Sequence, residues 1–119
     1  IQTKNSQGKF VTVIKGKIFD VAIDLRKNSK TFGKVFRCIL SEKNNKSIFI
    51  PEGFAHGFQG LEKSNYIIYS CTRYREKNSE IAINVNDKDF KINWPLNKKI
   101  ISKKDKKGIT FQKYKEIYL

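Results

Sequence analysis

Methionine is absent from the sequence, and histidine occurs once. A chain without methionine cannot start at its own initiator, and this one opens on Ile1 with no turn, cap or start signal. We therefore expect residues 1–119 to be a single domain that is incomplete at its N-terminal end. The length and the 39% of hydrophobic residues are sufficient for one hydrophobic core.

Long apolar runs are also missing from the chain. No stretch is long enough to cross a bilayer, and no leading apolar segment has the form of a signal peptide. From these absences we expect a soluble, cytoplasmic protein that has no membrane partner.

Residues that ligate metals are scarce. The two cysteines, Cys38 and Cys71, lie in separate strand-like segments without a CxxC motif. A disulfide framework or a zinc site is therefore not expected, and both thiols should be buried and reduced. A metal ion inside a β-barrel needs two or three histidines and a carboxylate, whereas His56 is alone. The sequence predicts no metal and no cofactor.

Acidic residues are few. The chain contains 11 Asp and Glu residues and 25 Lys and Arg residues, which gives a net charge of +14. Such an excess is typical of a nucleic-acid surface, an acidic membrane surface or a protein that attracts anionic substrates. Four of the basic residues are arginine, and the lysines are scattered through turn-like segments. A solvated lysine-rich surface is favoured over nucleic-acid binding, and a phosphate-bearing substrate fits either interpretation.

Short strands separated by turn residues dominate the pattern that is present. In "KIFDVAIDLR", Phe19, Val21 and Ile23 fall on one face and Ile18 and Ala22 on the other, which predicts a strand buried on both sides. Further strands are predicted in "GKFVTVIKG", "GKVFRCILS", "SIFIP", "NYIIYSCTRY" and "EIAINVN". This spacing predicts an all-β, antiparallel sandwich or jelly-roll barrel. After "INWPL" we expect an extended tail with one short helix or strand near "ITFQKYKEIYL".

Four polar side chains are able to face the interior of such a barrel: Lys9, Asp20, His56 and Tyr69. Tyr69 shares a strand face with the apolar residues around it, so its ring should point inward and its hydroxyl should need a partner. Taken singly, each has a structural alternative. Tyr69 could be a core tyrosine, His56 a hydrogen-bonded histidine in a glycine loop, Lys9 a surface charge and Asp20 an acid near a turn.

Longer sequence segments favour a functional role for these residues over the structural alternatives. The segments "GKFVTVIKGKIFDVAIDLRKNSKTFGKVFRCILSEKNNKSIFIPEGFAHGFQGL", "YIIYSCTRY" and "INWPL...ISKKD" resemble the dTDP-4-dehydrorhamnose 3,5-epimerase family of nucleotide-sugar epimerases, in order and with the expected gaps. The resemblance implies a cupin-type antiparallel jelly roll and a homodimer with strands exchanged between subunits. It also implies a nucleotide-sugar substrate that is dTDP-linked, no metal requirement and a cytoplasmic role in deoxysugar synthesis.

The resemblance also implies roles for individual residues. Tyr69 matches the family's acid, Lys9 matches the lysine that stabilises an enolate, and Asp105 matches the carboxylate that supports the catalytic histidine. His56 and Asp20 match residues that line the substrate pocket, and Glu52 of "IPEGFAHGF" is assigned with them to substrate binding. The family's base is the histidine of an "RGLH" motif that directly precedes the position of Ile1, so we expect residues 1–119 alone to be inactive or severely impaired.

One departure from the family pattern concerns the substrate. The string "TRYR" places Arg73 and Arg75 where the family usually has an acidic residue and an aromatic residue. Arg75 is therefore assigned to substrate binding, since a guanidinium can stack on a base or pair with a phosphate. Two alternatives stay open: a non-catalytic, sugar-nucleotide-binding cupin, and a basic β domain that binds nucleic acid.

Overall fold

Two three-stranded antiparallel sheets face each other in the computed structural model, which describes residues 1–97 and 100–119. The strands are β1 Lys9–Lys15, β2 Lys17–Asp24, β3 Val35–Ser41, β4 Ser47–Ile50, β5 Phe54–Gly60 and β6 Tyr66–Cys71. The first sheet has the order β4-β1-β6 and the second has the order β3-β2-β5. The predicted antiparallel β architecture is therefore confirmed.

Strand β2 is the central strand of the second sheet, and both of its faces are buried. Ile18 and Ala22 point between the sheets, whereas Val21 and Ile23 point to the outer side. The alternation arises because successive side chains of a strand point to opposite faces. This confirms the prediction, made from the sequence, of a strand buried on both sides.

The two faces of β2 belong to two separate hydrophobic cores. The inner core fills one end of the space between the sheets and consists of Val11, Val13, Ile18, Ala22, Leu40 and Ile50. The outer core lies on the other side of the second sheet and consists of Val21, Ile23, Leu25, Ala55, Phe90 and Tyr114. Residues after the last strand thus cover the outer face of the second sheet. The inner core does not fill the opposite end of the space between the sheets, and a site can lie there.

Helices occupy part of the C-terminal segment. A 3-10 turn at Lys77–Ser79 is followed by α1 Lys103–Lys106 and α2 Phe111–Tyr118. Helix α2 begins after Thr110, whose hydroxyl accepts a hydrogen bond from the Lys113 amide at 3.2 Å. The expected short element near the C-terminus is therefore a helix. Neither described helix has the length and apolarity needed to span a membrane.

One prediction about the chain path is wrong, and one strand was not predicted. "EIAINVN", residues 80–86, forms isolated bridges from Glu80 to Gln2 and from Ile83 to Ile109 instead of a strand. Conversely, the glycine-rich segment around His56 forms strand β5 rather than a loop, because β2 supplies a continuous hydrogen-bonding partner for it. In the expected tail, residues 98 and 99 lie outside the described part.

The expectation of two buried thiols is also wrong. Both cysteines are free, but Cys71 is exposed and Cys38 is half-buried. Cys71 ends strand β6, where it lies opposite Lys9 at the open end of the inner space. The inner core does not reach this end of the sandwich, so nothing apolar covers the thiol among the inner-core residues.

Candidate functional site

A polar cavity of about 160 Å³ lies at the open end of the space between the sheets. Three of the predicted site residues line it: Lys9 at the start of β1, His56 in β5 and Asp105 in α1. These residues are far apart in sequence, and the pairing of the strands together with the return of the C-terminal segment brings them to one place.

Asp20 and His56 form a buried pair beside the cavity. The His56 Nε2 atom lies 2.7 Å from Asp20 Oδ2, and the two side chains are 6% and 1% exposed. In the register of β2 and β5, Asp20 is opposite Phe58 and Ala22 is opposite His56, so the pair is a diagonal contact on the inner face. The carboxylate therefore fixes the orientation of the imidazole ring.

Asp20 has a second oxygen that the pair leaves unused. Its Oδ1 atom is buried and has no hydrogen-bond partner among the described residues. An unpaired buried carboxylate oxygen is costly, commonly by about 1–3 kcal/mol. Such a cost is typical of functional sites, where an unpaired polar atom is available to bind a ligand and does not stabilise the fold.

Tyr69 reaches the same pair from the opposite sheet. Its ring centroid lies 6.3 Å from that of His56 in an edge-on arrangement at 82°. Burial raises the pKa of Tyr69 to about 12, and the neighbouring Asp20 carboxylate and Cys71 thiol act in the same direction. The phenol is thus protonated at neutral pH and can donate a hydrogen bond or a proton.

Asp105 enters the cavity wall from a capped turn of helix. Ser102 precedes helix α1, and its hydroxyl accepts a hydrogen bond from the Asp105 amide at 3.2 Å. Ile1 forms another part of the same wall. The cavity therefore combines a cation at Lys9, a carboxylate at Asp105 and the imidazole of His56 within one lining.

An ion-pair network forms the rim of the cavity. The Glu80 carboxylate accepts hydrogen bonds from Arg75, with Nη2 to Oε2 at 2.7 Å, and from the Lys104 ammonium group. The Arg75 and Lys104 groups hold the pKa of Glu80 well below its usual range. Glu80 and Lys104 both line the cavity. Sequence reasoning missed them, although Lys104 directly precedes Asp105 in "SKKD".

The remaining predicted binding residues lie away from the cavity lining. Glu52 pairs with Arg73 at 3.4 Å and accepts a hydrogen bond from the Thr72 hydroxyl at 3.3 Å. Arg75 is held at the rim by Glu80. The structure therefore brings Lys9, Asp20, His56, Tyr69 and Asp105 together but places Glu52 and Arg75 around them, each already paired with an opposite charge.

A metal centre finds no support in the side chains that the structure describes. Within residues 1–97 and 100–119, no group of three or more His, Cys, Asp or Glu side chains is arranged to hold an ion. The side chains that meet at the site supply an ammonium group, an imidazole, a phenol and carboxylates.

Comparison with known proteins assigns this arrangement to a family. A sequence profile described as dTDP-4-dehydrorhamnose 3,5-epimerase matches residues 1–113. The chain belongs to the dTDP-4-dehydrorhamnose 3,5-epimerase family. The predicted resemblance is therefore confirmed over almost the whole chain.

Curated relatives carry the same description. The dTDP-4-dehydrorhamnose 3,5-epimerase of Methanothermobacter thermautotrophicus is 46% identical over 108 residues, which cover 88% of this chain and 58% of the relative. The Neisseria gonorrhoeae protein of that name is 44% identical, over 92% of this chain and 34% of the relative. The chain thus spans between a third and three fifths of the length of these relatives.

Solved structures of the family share the fold. The dTDP-4-dehydrorhamnose 3,5-epimerase of Elizabethkingia anophelis superimposes with a TM-score of 0.91 at 38% identity, over 95% of this chain and 63% of that one. The Legionella pneumophila enzyme, solved in complex with dTDP-4-keto-L-rhamnose, gives a TM-score of 0.87 at 41% identity, over 92% of this chain and 58% of that one. The cupin-type jelly roll expected from the sequence is confirmed.

Proposed function

We propose that the protein is an epimerase that inverts C3, C5 or both in a nucleotide-linked 4-keto-6-deoxy sugar. The observation that carries the proposal is a polar cavity lined by Lys9 and His56, in which His56 is paired with the Asp20 carboxylate and packed edge-on against the Tyr69 phenol. The ligand class is supported by the Legionella relative and by a Bacillus anthracis relative solved with TDP and pyrophosphate.

The chemistry of such a sugar matches the groups in the cavity. The protons on C3 and C5 are both α to the C4 carbonyl, so a base can remove either one if the resulting enolate is stabilised. The Lys9 ammonium lies in the cavity lining and supplies a positive charge for the C4 oxygen as it becomes an enolate. His56, held by Asp20, donates or accepts a hydrogen bond at the sugar ring.

Inversion also requires a proton from the face opposite the base. Tyr69 contacts the His56 ring from the opposite sheet, and its phenol is protonated at neutral pH. We assign it the role of the acid that returns a proton to carbon.

The base of the proposed reaction is assigned from the family resemblance. In the family pattern, the histidine of "RGLH" directly precedes the position of Ile1, and Ile1 lies on the wall of the cavity with Asp105. A side chain at that preceding position would be close to both, which supports the assignment of Asp105 as its partner. Residues 1–119 supply the enolate-stabilising and acidic groups of the proposed reaction.

Quaternary structure and location belong to the same proposal. The outward face of the first sheet exposes large apolar side chains, including Phe10, Phe49 and Ile68, each about half exposed. A contiguous apolar face of this kind supports the assembly of the protein as a homodimer.

We place the protein in the cytoplasm, as the family resemblance implies. Light scattering of the protein and of Phe10→Lys, and cell fractionation, test these two statements.

The test of the reaction uses the protein expressed from its complete reading frame. It is incubated with dTDP-4-keto-6-deoxyglucose in deuterated water, and the C3 and C5 signals are followed by NMR. Solvent deuterium at one or both carbons together with a new stereoisomer is the expected result. If the sugar binds but no deuterium enters, a binding-only cupin replaces the epimerase; if the sugar does not bind, the substrate class is wrong.

A further inference from the structure

Phe54 lies between two cavities of the sandwich. On one side is the polar cavity with Lys9 and His56, and on the other is a groove of about 380 Å³ with an apolar lining between β3 and β4. Phe54 lines both. Its ring thus lies at the boundary of the two, and it is the phenylalanine of a cavity lining that otherwise combines charged and polar side chains with Ile1, Ile81 and Ala82.

The position of this ring is held from outside by Arg26. The Arg26 guanidinium lies over the Phe54 ring, 4.8 Å from its centroid. It is anchored by the fully buried Asp24 carboxylate, with Nε to Oδ1 at 3.0 Å and Nη2 to Oδ2 at 2.8 Å. This two-point contact fixes the plane of the guanidinium and therefore the surface on which the ring rests.

Asp24 accepts two further hydrogen bonds on the oxygen that already contacts Arg26 Nη2. The hydroxyls of Ser29 and Thr31 donate hydrogen bonds to Asp24 Oδ2 at 2.5 and 2.6 Å. Asp24 is also the residue opposite Phe54 in the pairing of β2 with β5. The Asp24–Arg26 pair, here called the clamp, and the Phe54 ring that it supports therefore lie at directly opposed positions of β2 and β5.

Gly53 leaves room for the clamp. It has a φ of +86°, and a Cβ atom at this position would lie 2.6 Å from Arg26 Cγ. A side chain would therefore displace the stem of Arg26 from the ring. The absence of a Cβ directly before Phe54 is a second, independent feature that serves the same contact.

We propose that Phe54 is the specificity-determining wall that favours a 6-deoxy sugar over the corresponding 6-hydroxy sugar, and that Arg26 is its positioning residue. The inference rests on the proposed function, because it names which part of that substrate meets Phe54. With the C4 oxygen held at Lys9, the hydroxyls face polar walls and the C6 methyl packs on the aromatic ring.

The physical reason is the cost of an unpaired hydroxyl. A methyl group on the Phe54 face loses only water, whereas a hydroxymethyl group there loses hydrogen bonds that the ring cannot replace. An apolar wall discriminates against an added hydroxyl by roughly ten- to a hundredfold. If Arg26 no longer holds the Phe54 ring, the ring can rotate and admit water. The protein then loses much of its discrimination between the two sugars.

The experiment compares dTDP-6-deoxyglucose with dTDP-glucose, which differ in one hydroxyl group. Calorimetry gives the ratio of the two dissociation constants for the wild type, Arg26→Lys, Phe54→Leu and the double variant. Arg26→Lys keeps a cation for Asp24 but removes the planar stack. We expect the wild-type preference for the 6-deoxy sugar to be at least tenfold and to fall several-fold in each single variant.

The double variant distinguishes positioning from a general structural effect. If Arg26 acts through Phe54, then Arg26→Lys changes the ratio in the wild type but not in the Phe54→Leu background. Lys115→Gln is the matched control, because Lys115 makes a comparable cation–π contact with Phe111 at 4.9 Å in helix α2, outside the cavity. This control should leave the ratio unchanged.

The outcomes separate the two proposals. If the wild type binds neither sugar nucleotide, the proposed function fails. If it binds both and the ratio is the same in Phe54→Leu, Phe54 is not the selecting wall. If Arg26→Lys lowers the ratio equally with and without Phe54, Arg26 does not act through the ring. Thermal melting checks that each variant is folded; should Arg26→Lys not fold, Gly53→Ala displaces the stack and gives the same predicted fall.

Discussion

Tyr69 is a partly buried tyrosine, 43% exposed, whose phenol holds its proton at neutral pH. In water a tyrosine loses its proton near pH 10, but the desolvated ring of Tyr69 has its pKa raised to about 12, and Asp20 adds a repulsive negative charge. The phenol therefore remains protonated over the whole range in which the protein works. The raised pKa makes this phenol a weaker acid than a free tyrosine, so its proton passes to a strongly basic acceptor such as an enolate carbon and not to water.

Replacing Tyr69 by phenylalanine separates the two halves of the proposed reaction. In the complete protein, Tyr69→Phe should keep substrate binding and the exchange of α-protons with solvent, because the base still works. Net inversion should fall by about 10²–10⁴-fold, which is the usual contribution of a positioned acid. NMR in deuterated water measures both quantities in one sample. If exchange and inversion are lost together, Tyr69 is not a separate acid.

Asp24 is a residue whose charge serves the fold as well as the proposed clamp. Its carboxylate is fully buried, and hydrogen bonds from Arg26, followed by those from Ser29 and Thr31, hold its pKa well below the usual range. The folded state therefore binds this proton less readily than the unfolded chain, where an aspartate titrates near pH 4. Its contribution to stability is present above that pH and is lost as the pH falls below it.

Asp24→Asn should consequently lower the free energy of unfolding by about 2 kcal/mol at pH 7, since hydrogen bonds to a charged group are lost. The difference from the wild type should shrink at pH 3, where the unfolded wild-type chain has taken up the proton that the folded carboxylate still excludes. Urea unfolding at the two pH values measures it. Asp89→Asn, at an exposed position, serves as the control. A difference that is equal at both pH values would show that the charge is not the cause.

Strand β5 illustrates how an element can be stable against the preference of its own residues. It contains Gly57 and Gly60, which weaken a strand because glycine loses much backbone entropy when it is ordered. Pairing with the buried strand β2 along its whole length compensates for this loss. His56 is thereby held in a rigid strand, which is a more precise support for a site residue than a loop would be.

Gly57 offers a test of this balance. An added Cβ atom there would meet nothing within 4 Å, and a small cavity of about 60 Å³ lined by Val21, Ile23 and Ile83 lies beside it. Gly57→Ala should stabilise the protein by about 0.5–1 kcal/mol, because it restricts the unfolded chain and fills part of this cavity. Denaturant unfolding measures the change.

The matched control for Gly57 is Gly53 in the preceding turn. Gly53 has a φ of +86° and no room for a Cβ atom beside Arg26. Gly53→Ala should therefore destabilise the protein by at least about 1 kcal/mol. If the two substitutions had the same sign, the local backbone geometry would not be what decides their effect.

The charge of the whole molecule bears on how a ligand arrives. A net charge of +14 creates a field that attracts a dianionic nucleotide sugar over a distance comparable to the Debye length. The association rate of a fluorescent TDP analogue should therefore fall several-fold between 50 and 300 mM salt, while its dissociation rate changes little. Stopped-flow fluorescence measures both rates.

Duplex DNA provides the contrasting measurement. Nucleic-acid binding through many phosphate contacts would give an affinity that falls about 10³-fold or more between 50 and 200 mM salt. It would also be indifferent to Tyr69→Phe. Tight, specific DNA binding at physiological salt would favour the alternative of a basic nucleic-acid-binding domain over the epimerase.

Much of the architecture could be predicted because strand periodicity is a local property. The two faces of β2 follow directly from the alternation in "KIFDVAIDLR", and the long strings around "IPEGFAHGF" carry the family. Residues 80–86 show the limit. Their alternation is strand-like, but in the folded chain they make isolated bridges to Gln2 and Ile109, since no neighbouring strand offers a continuous edge. The alternation of residues alone does not show whether a neighbouring strand is present for pairing.

By itself, the sequence determined the β architecture, the family and three of the residues that line the cavity, Lys9, His56 and Asp105. The tertiary structure decided which of them meet. It paired Asp20 with His56, placed Glu80 and Lys104 on the rim and set Arg26 on the Phe54 ring. The reason is physical: alternation fixes the face on which a side chain lies, whereas its neighbours depend on strand register, the packing of the two sheets and the path of the C-terminal segment.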